Sequence, residues 1–549
     1  MLKTDQEFLN LVKAGIPVIQ IISYEFLRAQ SMLMYASKQL NRELFFWDIV
    51  DGIRKYDPGK KQYDVIQADP DPHLALDFFM GAGETGAGEN EDKKDLILVL
   101  DDFHPNMVSA NPGIVKKFRK IAQPANASAD KTLILLQPLH DTREYRFPVE
   151  LEKEVHVFTI PYPEYIDIAA TYQKVRLMKD IPAANAPEEP PGDLISAALG
   201  LSTMEAEKAF SLAYIVHGRL TSAEIPFIIR EKENVIRQSG YLEYYHPKEN
   251  IEDIGGLDVL KNWLVKRGRG FEKKAEEFGL SFPRGILIMG IPGTGKSLTA
   301  KAIGNLWQFP LLRLDMGKVF AGFVGESERN IREALNIAEA IAPSILWIDE
   351  IEKGAAGISS SDKTDGGTSS RVLGTFLTWL QEKTKPVFVA ATANRWWELP
   401  PELLRKGRVD EIFFTDLPTL RERQKIIEIH LKKKKRDPAR FNVKLIAEKS
   451  NFFSGAEIEQ AITEALFQAY ADNERELTNE DITGALTNIY PLSRTMPEAI
   501  KKIREWAKNR AVPASSEEPE AAVPSGAGPR LKQEIIDPFE YTHQGGEDG

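Results

Sequence analysis

The chain has 549 residues, 42% hydrophobic and 28% charged, with a formal net charge of −11. That length exceeds a single hydrophobic core, so roughly two to four domains are expected, and the acidic balance argues against general nucleic-acid binding, which needs a basic surface to neutralise phosphates. No cysteine is present, which excludes disulfides, zinc thiolate sites and thiol catalysis.

The N-terminus lacks a basic segment followed by an apolar one, and no apolar run approaches the span of a membrane, so a cytoplasmic location is expected. Residues 1–163 alternate short apolar runs with amphipathic helices, the pattern of a parallel α/β sheet. Strands are expected at Ile16–Ile22, Leu44–Trp47, Leu96–Leu100, Leu133–Leu136 and Val155–Ile160, helices at Phe26–Leu40 and Ile114–Ile121, and a mobile glycine-rich loop at Gly81–Asn90. Residues 164–245 turn helical around a proline-rich stretch, Ile181–Gly192.

A second α/β block covers 246–418, with strands expected at Ile286–Met289, Leu311–Leu314, Ile345–Ile348, Val387–Ala391 and Ile412–Phe414. Residues 419–509 show helical spacing again, and the basic run Lys432–Arg436 fits a solvated helix end. The remainder, 510–549, is rich in Pro, Ala, Ser and Glu and is expected to be disordered.

The strongest local signal starts in the strand Ile286–Met289 and continues through Gly290, Ile291, Pro292, Gly293, Thr294, Gly295, Lys296, Ser297 and Leu298. It fits G-x-x-x-x-G-K-[ST], a loop whose inward-pointing N–H groups wrap phosphates. Glycines permit that path, Lys296 adds a mobile positive charge and Ser297 a hydroxyl for Mg²⁺, and the following helix contributes its positive end. About fifty residues on, a second apolar strand ends in Asp349 and Glu350. Carboxylates there suit a Mg²⁺ ligand (Asp349) and a residue that orients and deprotonates the attacking water (Glu350); an isolated Asp-Glu could cap a helix, a reading that the phosphate loop about fifty residues earlier weakens.

Two stretches of the first half resemble stretches of the second, which chance likeness between two α/β domains could also produce. Val99-Leu100-Asp101-Asp102-Phe103 matches Trp347-Ile348-Asp349-Glu350-Ile351, and Pro148-Val149-Glu150-Leu151 resembles Pro401-Glu402-Leu403-Leu404. An internal duplication is therefore expected. The first copy has Ser23-Tyr24-Glu25-Phe26 where the phosphate loop should be, with an acid that repels phosphate. It also has Glu152, Lys153 and Glu154 where the second copy has Arg405 and Arg408. The expected first half is a degenerate phosphate-loop-like α/β domain without chemistry.

Residues 250 to 490 resemble the AAA ATPase module almost from end to end. Asn250-Ile251-Glu252-Asp253-Ile254-Gly255-Gly256-Leu257 resembles its opening motif, Phe320 to Glu328 its pore loop, Ala391-Thr392-Ala393-Asn394 its sensor strand, and Leu403 to Asp410 its second region of homology. His430 and Ser454-Gly455-Ala456-Glu457-Ile458 match lid positions. The resemblance implies a parallel α/β core with a small helical lid. ATP and Mg²⁺ would be held by Asp253, Ile254, Gly255, Gly290, Pro292, Gly293, Thr294, Gly295, Lys296, Ser297, Leu298, His430, Gly455 and Ala456, with Ser297 and Asp349 toward the metal. Lys296, Asp349, Glu350 and Asn394 would act in hydrolysis. Arg405 and Arg408 would be arginine fingers reaching a neighbouring subunit in a homo-oligomeric ring, commonly a hexamer, and Phe323, Val324 and Gly325 a loop gripping a protein partner. On their own, the two arginines could mark a helix C-terminus and Phe323 a core aromatic.

Some departures stand out: Trp396-Trp397 after the sensor, Lys406 where proline is common, and Glu352 where Asp is frequent. As a whole the chain most resembles AAA-domain proteins encoded in cyanobacterial and plastid genomes, which would allow the chloroplast stroma as its location. The function expected is ATP-driven remodelling or threading of a protein. A nucleotide-gated scaffold is the alternative, and a nucleic-acid motor is disfavoured by charge. None of the eight histidines forms His-Glu-x-x-His, which excludes a zincin site.

Overall fold

The computed structural model describes residues 3–23, 25–60, 62–81, 95–107, 111–123, 130–137, 151, 153–238, 240–320, 326–354, 368–405 and 407–517. The chain divides into two compact units, Met1–Asp253 with Leu260–Met289 and Lys296–Phe413, and Ile254–Val259 with Gly290–Gly295 and Phe414–Gly549.

The first sheet contains β1 (Val18–Ile22), β2 (Glu43–Asp48), β3 (Gly52–Asp57), β4 (Gln62–Gln67), β5 (Leu96–Asp101), β6 (Lys131–Gln137) and β7 (His156–Thr159) in the order β4-β3-β2-β5-β6-β1-β7. Its central strands pair in parallel, Val18 beside Leu133 and Leu98 beside Leu133 on the other side. The sheet is covered on both faces. Leu98, Leu133 and Leu135 join one apolar cluster, Ile97, Val99 and Ile134 the other. Double burial explains why these strands are continuous apolar runs rather than alternating ones. Around them lie α1 (Lys3–Lys13), α2 (Phe26–Leu40), α3 (Pro72–Met80) and α4 (Pro112–Ala122).

The second sheet is built from β8 (Leu242–Tyr245), β9 (Gly285–Gly290), β10 (Leu311–Leu314), β11 (Ser344–Ile348), β12 (Val387–Ala393), β13 (Glu411–Thr415) and β14 (Val512–Pro513), ordered β14-β13-β9-β12-β11-β10-β8. The connections carry α9 (Asp258–Gly268), α10 (Lys273–Glu277), α11 (Lys296–Trp307), α12 (Met316–Val319), α13 (Glu326–Ala340) and α14 (Thr368–Glu382).

The five core strands, numbered within each half by position along the chain, run 5-1-4-3-2 in both sheets: β7-β1-β6-β5-β2 in the first, β13-β9-β12-β11-β10 in the second. At the end of the third core strand, Asp102 and Glu350 both take the left-handed conformation, with φ of 49° and 50°. Non-glycine residues rarely adopt it, so shared strand order and a shared rare backbone state support descent from one unit. In the other proposed match, Pro148, Val149, Glu150 and Glu152 lie outside the described residues, as does most of the Gly81–Asn90 loop.

The repeat continues into the helices. Residues 164–245 form α5 (Tyr165–Met178), α6 (Gly192–Ala198), α7 (Thr203–His217) and α8 (Ile225–Gln238). Residues 419–509 include α15 (Leu420–Lys433), α16 (Val443–Lys449), α17 (Gly455–Ala471) and α18 (Asn479–Asn488). α5 and α15 have 14 residues each, α6 and α16 seven each. α7 and α17 open on the same capping box, Ser202 with Glu205 and Ser454 with Glu457. Around the start of the fourth helix, Thr221 and Glu224 repeat as Thr478 and Asp481, each acid also taking an arginine, Arg219 at 2.7 Å and Arg475 at 2.6 Å.

Three expectations change. The antiparallel strands β3 and β4, and β8 beside β10, are additions to the predicted sheets. The expected disorder from residue 510 does not hold for residues 510–517. There, the Ala514 N–H donates to the Phe414 carbonyl at 2.9 Å, and the Ser515 hydroxyl to Glu422 at 2.6 Å. Ser516 N–H also bonds Asp258, at 2.9 Å. Composition identified a polar segment, but these bonds recruit it individually.

Candidate functional site

Phosphate-loop residues 291–295 join β9 to α11. Two of the loop's glycines are sterically required. A Cβ at Gly290 would lie 2.0 Å from the Thr415 carbonyl oxygen, and one at Gly293, where φ is +79°, would lie 2.7 Å from Ser454 Oγ. The Thr294 hydroxyl donates to the Ile291 carbonyl at 2.7 Å and lies 2.8 Å from the Thr415 hydroxyl, bracing the turn. Gly293 O accepts the Ala456 N–H at 3.1 Å, which brings the predicted lid residues Gly455 and Ala456, at the start of α17, to the loop. Ile254 is buried, Gly255 packs against Ile426 of α15, and the Leu257 N–H reaches Glu422 at 3.2 Å. Asp253 instead accepts the Asn250 N–H at 3.0 Å. His430 on α15 lies 3.5 Å from Glu459, and burial lowers its pKa below the ordinary value.

The charged residues gather at the ends of β11 and β12. Lys296, the first residue of α11, is buried, and the loss of water pulls its pKa down to about 8 against the opposing pull of Glu352, Asp349 and Glu350. Asp349 Oδ1 accepts two hydroxyls, Ser297 at 2.6 Å and Thr392 at 2.6 Å. Glu350 Oε1 accepts Asn394 Nδ2 at 2.9 Å, and its other oxygen pairs with Lys353. Ser297, Asp349, Glu350 and Asn394, spread over about a hundred residues of sequence, therefore form one connected polar group. Leu298 follows Ser297 in α11.

Oxygen donors from one hydroxyl and one carboxylate suit Mg²⁺, which keeps several waters and is held through one or two protein groups plus phosphate. No cluster of three metal-binding side chains exists among the described residues, as such a site requires none.

Two residues were missed in the sequence. Glu352 is buried, with its pKa raised by desolvation, and its carboxylate accepts the Asn394 N–H at 2.8 Å, fixing the end of β12. Thr392 bridges Asp349 and the Glu350 N–H, the latter at 3.0 Å. Glu352 stood out as a departure from the Asp often found there. Thr392 was visible only as part of the sensor strand.

The two arginines separate. Arg405 is exposed and has no side-chain partner among the described residues, whereas half-buried Arg408 donates to the Leu377 carbonyl of α14 in its own chain. Phe323, Val324 and Gly325 lie outside the described residues.

A phosphate loop followed by a hydroxyl, a strand-end carboxylate pair and an asparagine, on a 5-1-4-3-2 sheet with a helical lid, defines a nucleotide-binding AAA fold. The family model for "ATPase family associated with various cellular activities (AAA)" matches residues 286–417, and that for the AAA+ lid domain matches 440–484. Models for the N-terminal and second domains of SpoVK-like AAA ATPases match 4–160 and 171–239. The chain belongs to the AAA ATPase family, within the group of its near-full-length relatives. Among these, the "Uncharacterized AAA domain-containing protein ycf46" of Guillardia theta is 37% identical over 504 residues, 91% of this chain and 94% of that protein. The protein of the same name from Pyropia yezoensis is 39% identical, covering 91% and 97%. A proteasome-activating nucleotidase of Saccharolobus islandicus is 35% identical over 269 residues, 47% of this chain and 67% of that protein.

Proposed function

We propose that the chain hydrolyses ATP with Mg²⁺ and works as a ring, commonly a hexamer, that remodels or threads a protein partner. The connected group Ser297, Asp349, Glu350 and Asn394 carries this reading, because it puts a metal-binding pair beside a carboxylate and an amide able to orient water. The bound metal would neutralise charge developing on the phosphates. Ser297 and Asp349 would supply its oxygen ligands, Lys296 would hold phosphate charge, and Asn394, bonded to Glu350, would keep that carboxylate aimed at the water. Arg405 would supply a finger to the adjacent subunit. The division 1–163, 164–245, 246–418, 419–509 and 510–549 is retained as a proposal, as is a cytoplasmic or stromal location; no helix among the described residues is long and apolar enough to cross a membrane.

The direct test is steady-state ATP hydrolysis by the purified chain with its assembly measured by light scattering; a monomer with full activity would sink the ring. Phe323→Ala should spare hydrolysis while abolishing processing of the partner. If that variant keeps partner processing, the threading reading fails. A nucleotide-gated scaffold is favoured by one observation, the Lys353 pairing that restrains Glu350; slow turnover raised several-fold by Lys353→Ala would support it.

A pH dependence follows from Lys296. Its free-state pKa of about 8 lies below the ordinary lysine value, so the site loses positive charge as pH rises through 8, and phosphate binding must then restore the proton. ATP affinity should therefore fall between pH 7.5 and 9, approaching about tenfold per pH unit at the upper end. Titration with a fluorescent nucleotide reads this directly. Lys296→Arg keeps its charge and should flatten the slope.

A further inference from the structure

The emptied site of the first half is not vacant in a chemical sense. β1 ends at Ile22 and α2 starts at Phe26, with three residues between them, whereas five residues, 291–295, separate β9 from α11. Three residues are too few for the same phosphate cradle. The last of the three, Glu25, is 4% exposed, and burial raises its pKa. Both carboxylate oxygens lie 3.1 Å from the Thr203 N–H, and Oε2 accepts the Thr203 hydroxyl at 2.5 Å. The Glu25 N–H donates to Ser23 Oγ at 2.9 Å.

Thr203 is the first residue of the 15-residue α7, the counterpart of α17. In the second half the corresponding link is made by main chain, Ala456 N–H to Gly293 O. The first half makes it with a carboxylate set on the Thr203 N–H at the positive end of a helix, where anions are favoured. A second tie accompanies it. Arg28, the third residue of α2 as Leu298 is of α11, donates to the Pro161 carbonyl at 2.7 Å and pairs with Asp167 of α5 at 3.2 Å.

We propose that the Glu25 carboxylate is a built-in anion that replaces a nucleotide in the first half, bonding its lid-like helices to its sheet so that this half keeps one lid position throughout the nucleotide cycle of the second. The α7 terminus already carries a carboxylate, and a phosphate brought there would meet that group and find the Thr203 N–H and hydroxyl taken. The chain then takes up one nucleotide, and nucleotide-dependent lid motion belongs to the second half alone. This does not depend on hydrolysis occurring there.

The test is hydrogen exchange at the amides of residues 203–210 in the full chain. Wild type should exchange slowly and at the same rate with and without a non-hydrolysable ATP analogue. Glu25→Ala should exchange at least tenfold faster, and sodium acetate should restore protection where the same concentration of sodium chloride does not. Thr203→Val, which removes only the hydroxyl donor, should show a smaller acceleration and serves if Glu25→Ala does not fold. Slow exchange in Glu25→Ala, acceleration that acetate leaves unchanged, exchange in wild type that responds to the analogue, or two analogue molecules bound per chain would each overturn the proposal.

Discussion

Replacing Glu350 by Gln is expected to leave ATP bound and to cut turnover by roughly 10²- to 10⁴-fold, the range a positioned general base supplies. Glutamine preserves shape and an oxygen that can accept from Asn394, 2.9 Å away in the native site, so the geometry of the β12 end survives. What is lost is the basic oxygen and the pairing with Lys353. Neither Ser297 nor Asp349 depends on it, since their 2.6 Å hydrogen bond lies on the other carboxylate, and the metal-dependent part of binding should persist. Glu352→Gln is the informative control. Its carboxylate accepts a backbone N–H and is buried with a raised pKa, a task a neutral amide oxygen can perform. Turnover should change by less than about tenfold. Nucleotide retention on gel filtration and phosphate release in single turnover separate binding from chemistry. Should Glu352→Gln lose turnover while Glu350→Gln keeps it, the two carboxylates exchange roles and the proposed mechanism fails.

What the sequence made legible depended on how much of each feature is local. The phosphate loop is local: glycines, Lys296 and Ser297 are fixed by backbone path and phosphate charge within eight residues, and the structure supplies the steric reason at Gly290 and Gly293. Central strands such as Ile286–Met289 were legible because burial on both faces demands continuous apolar runs. The hairpin β3–β4 was not. Its second strand is exposed almost throughout and reads Gln62-Tyr63-Asp64-Val65-Ile66-Gln67, so no apolar face marks it. β8 was hidden for a different reason: four residues, Leu242 to Tyr245, directly after a charged helix carry too little period to register.

The duplication was visible at Asp101-Asp102 and Asp349-Glu350 and hidden in the helices. There the repeat shows in the caps, Ser202 with Glu205 and Ser454 with Glu457, and in buried alanines, Ala209 and Ala213 against Ala461 and Ala465, while Ala206 and Phe210 stand against Ile458 and Ile462. A packed interior tolerates exchange of apolar side chains when neighbours repack, whereas an unpaired helix N-terminus has no such substitute. Likewise, Thr392 and Glu352 became functional candidates only through three-dimensional neighbours, since each acts on a residue about forty positions away.

Substituting Arg405 by Ala is expected to lower turnover by about 10³-fold or more, the contribution of an arginine finger to phosphoryl-transfer charge, with nucleotide binding and assembly retained. The argument rests on availability. A finger must be free in its own subunit to serve the next, and Arg405 is exposed without a side-chain partner among the described residues. Arg408 is committed to the Leu377 carbonyl of α14, so Arg408→Ala removes an internal tie and should act first on stability, seen as a lowered Tm. Mixing tests whether Arg405 acts across subunits. Neither Arg405→Ala nor Glu350→Gln should turn over alone, yet in mixed rings an Arg405→Ala subunit keeps its own Glu350 and receives Arg405 from a Glu350→Gln neighbour. With random assembly at equal amounts, such pairs make up about a quarter of sites, and activity should recover to about that fraction of wild type. A mixture as inactive as its components, in rings shown by light scattering to have exchanged subunits, would place Arg405 outside the catalytic machinery of a neighbour. The nucleotide site would then have to be complete within one chain.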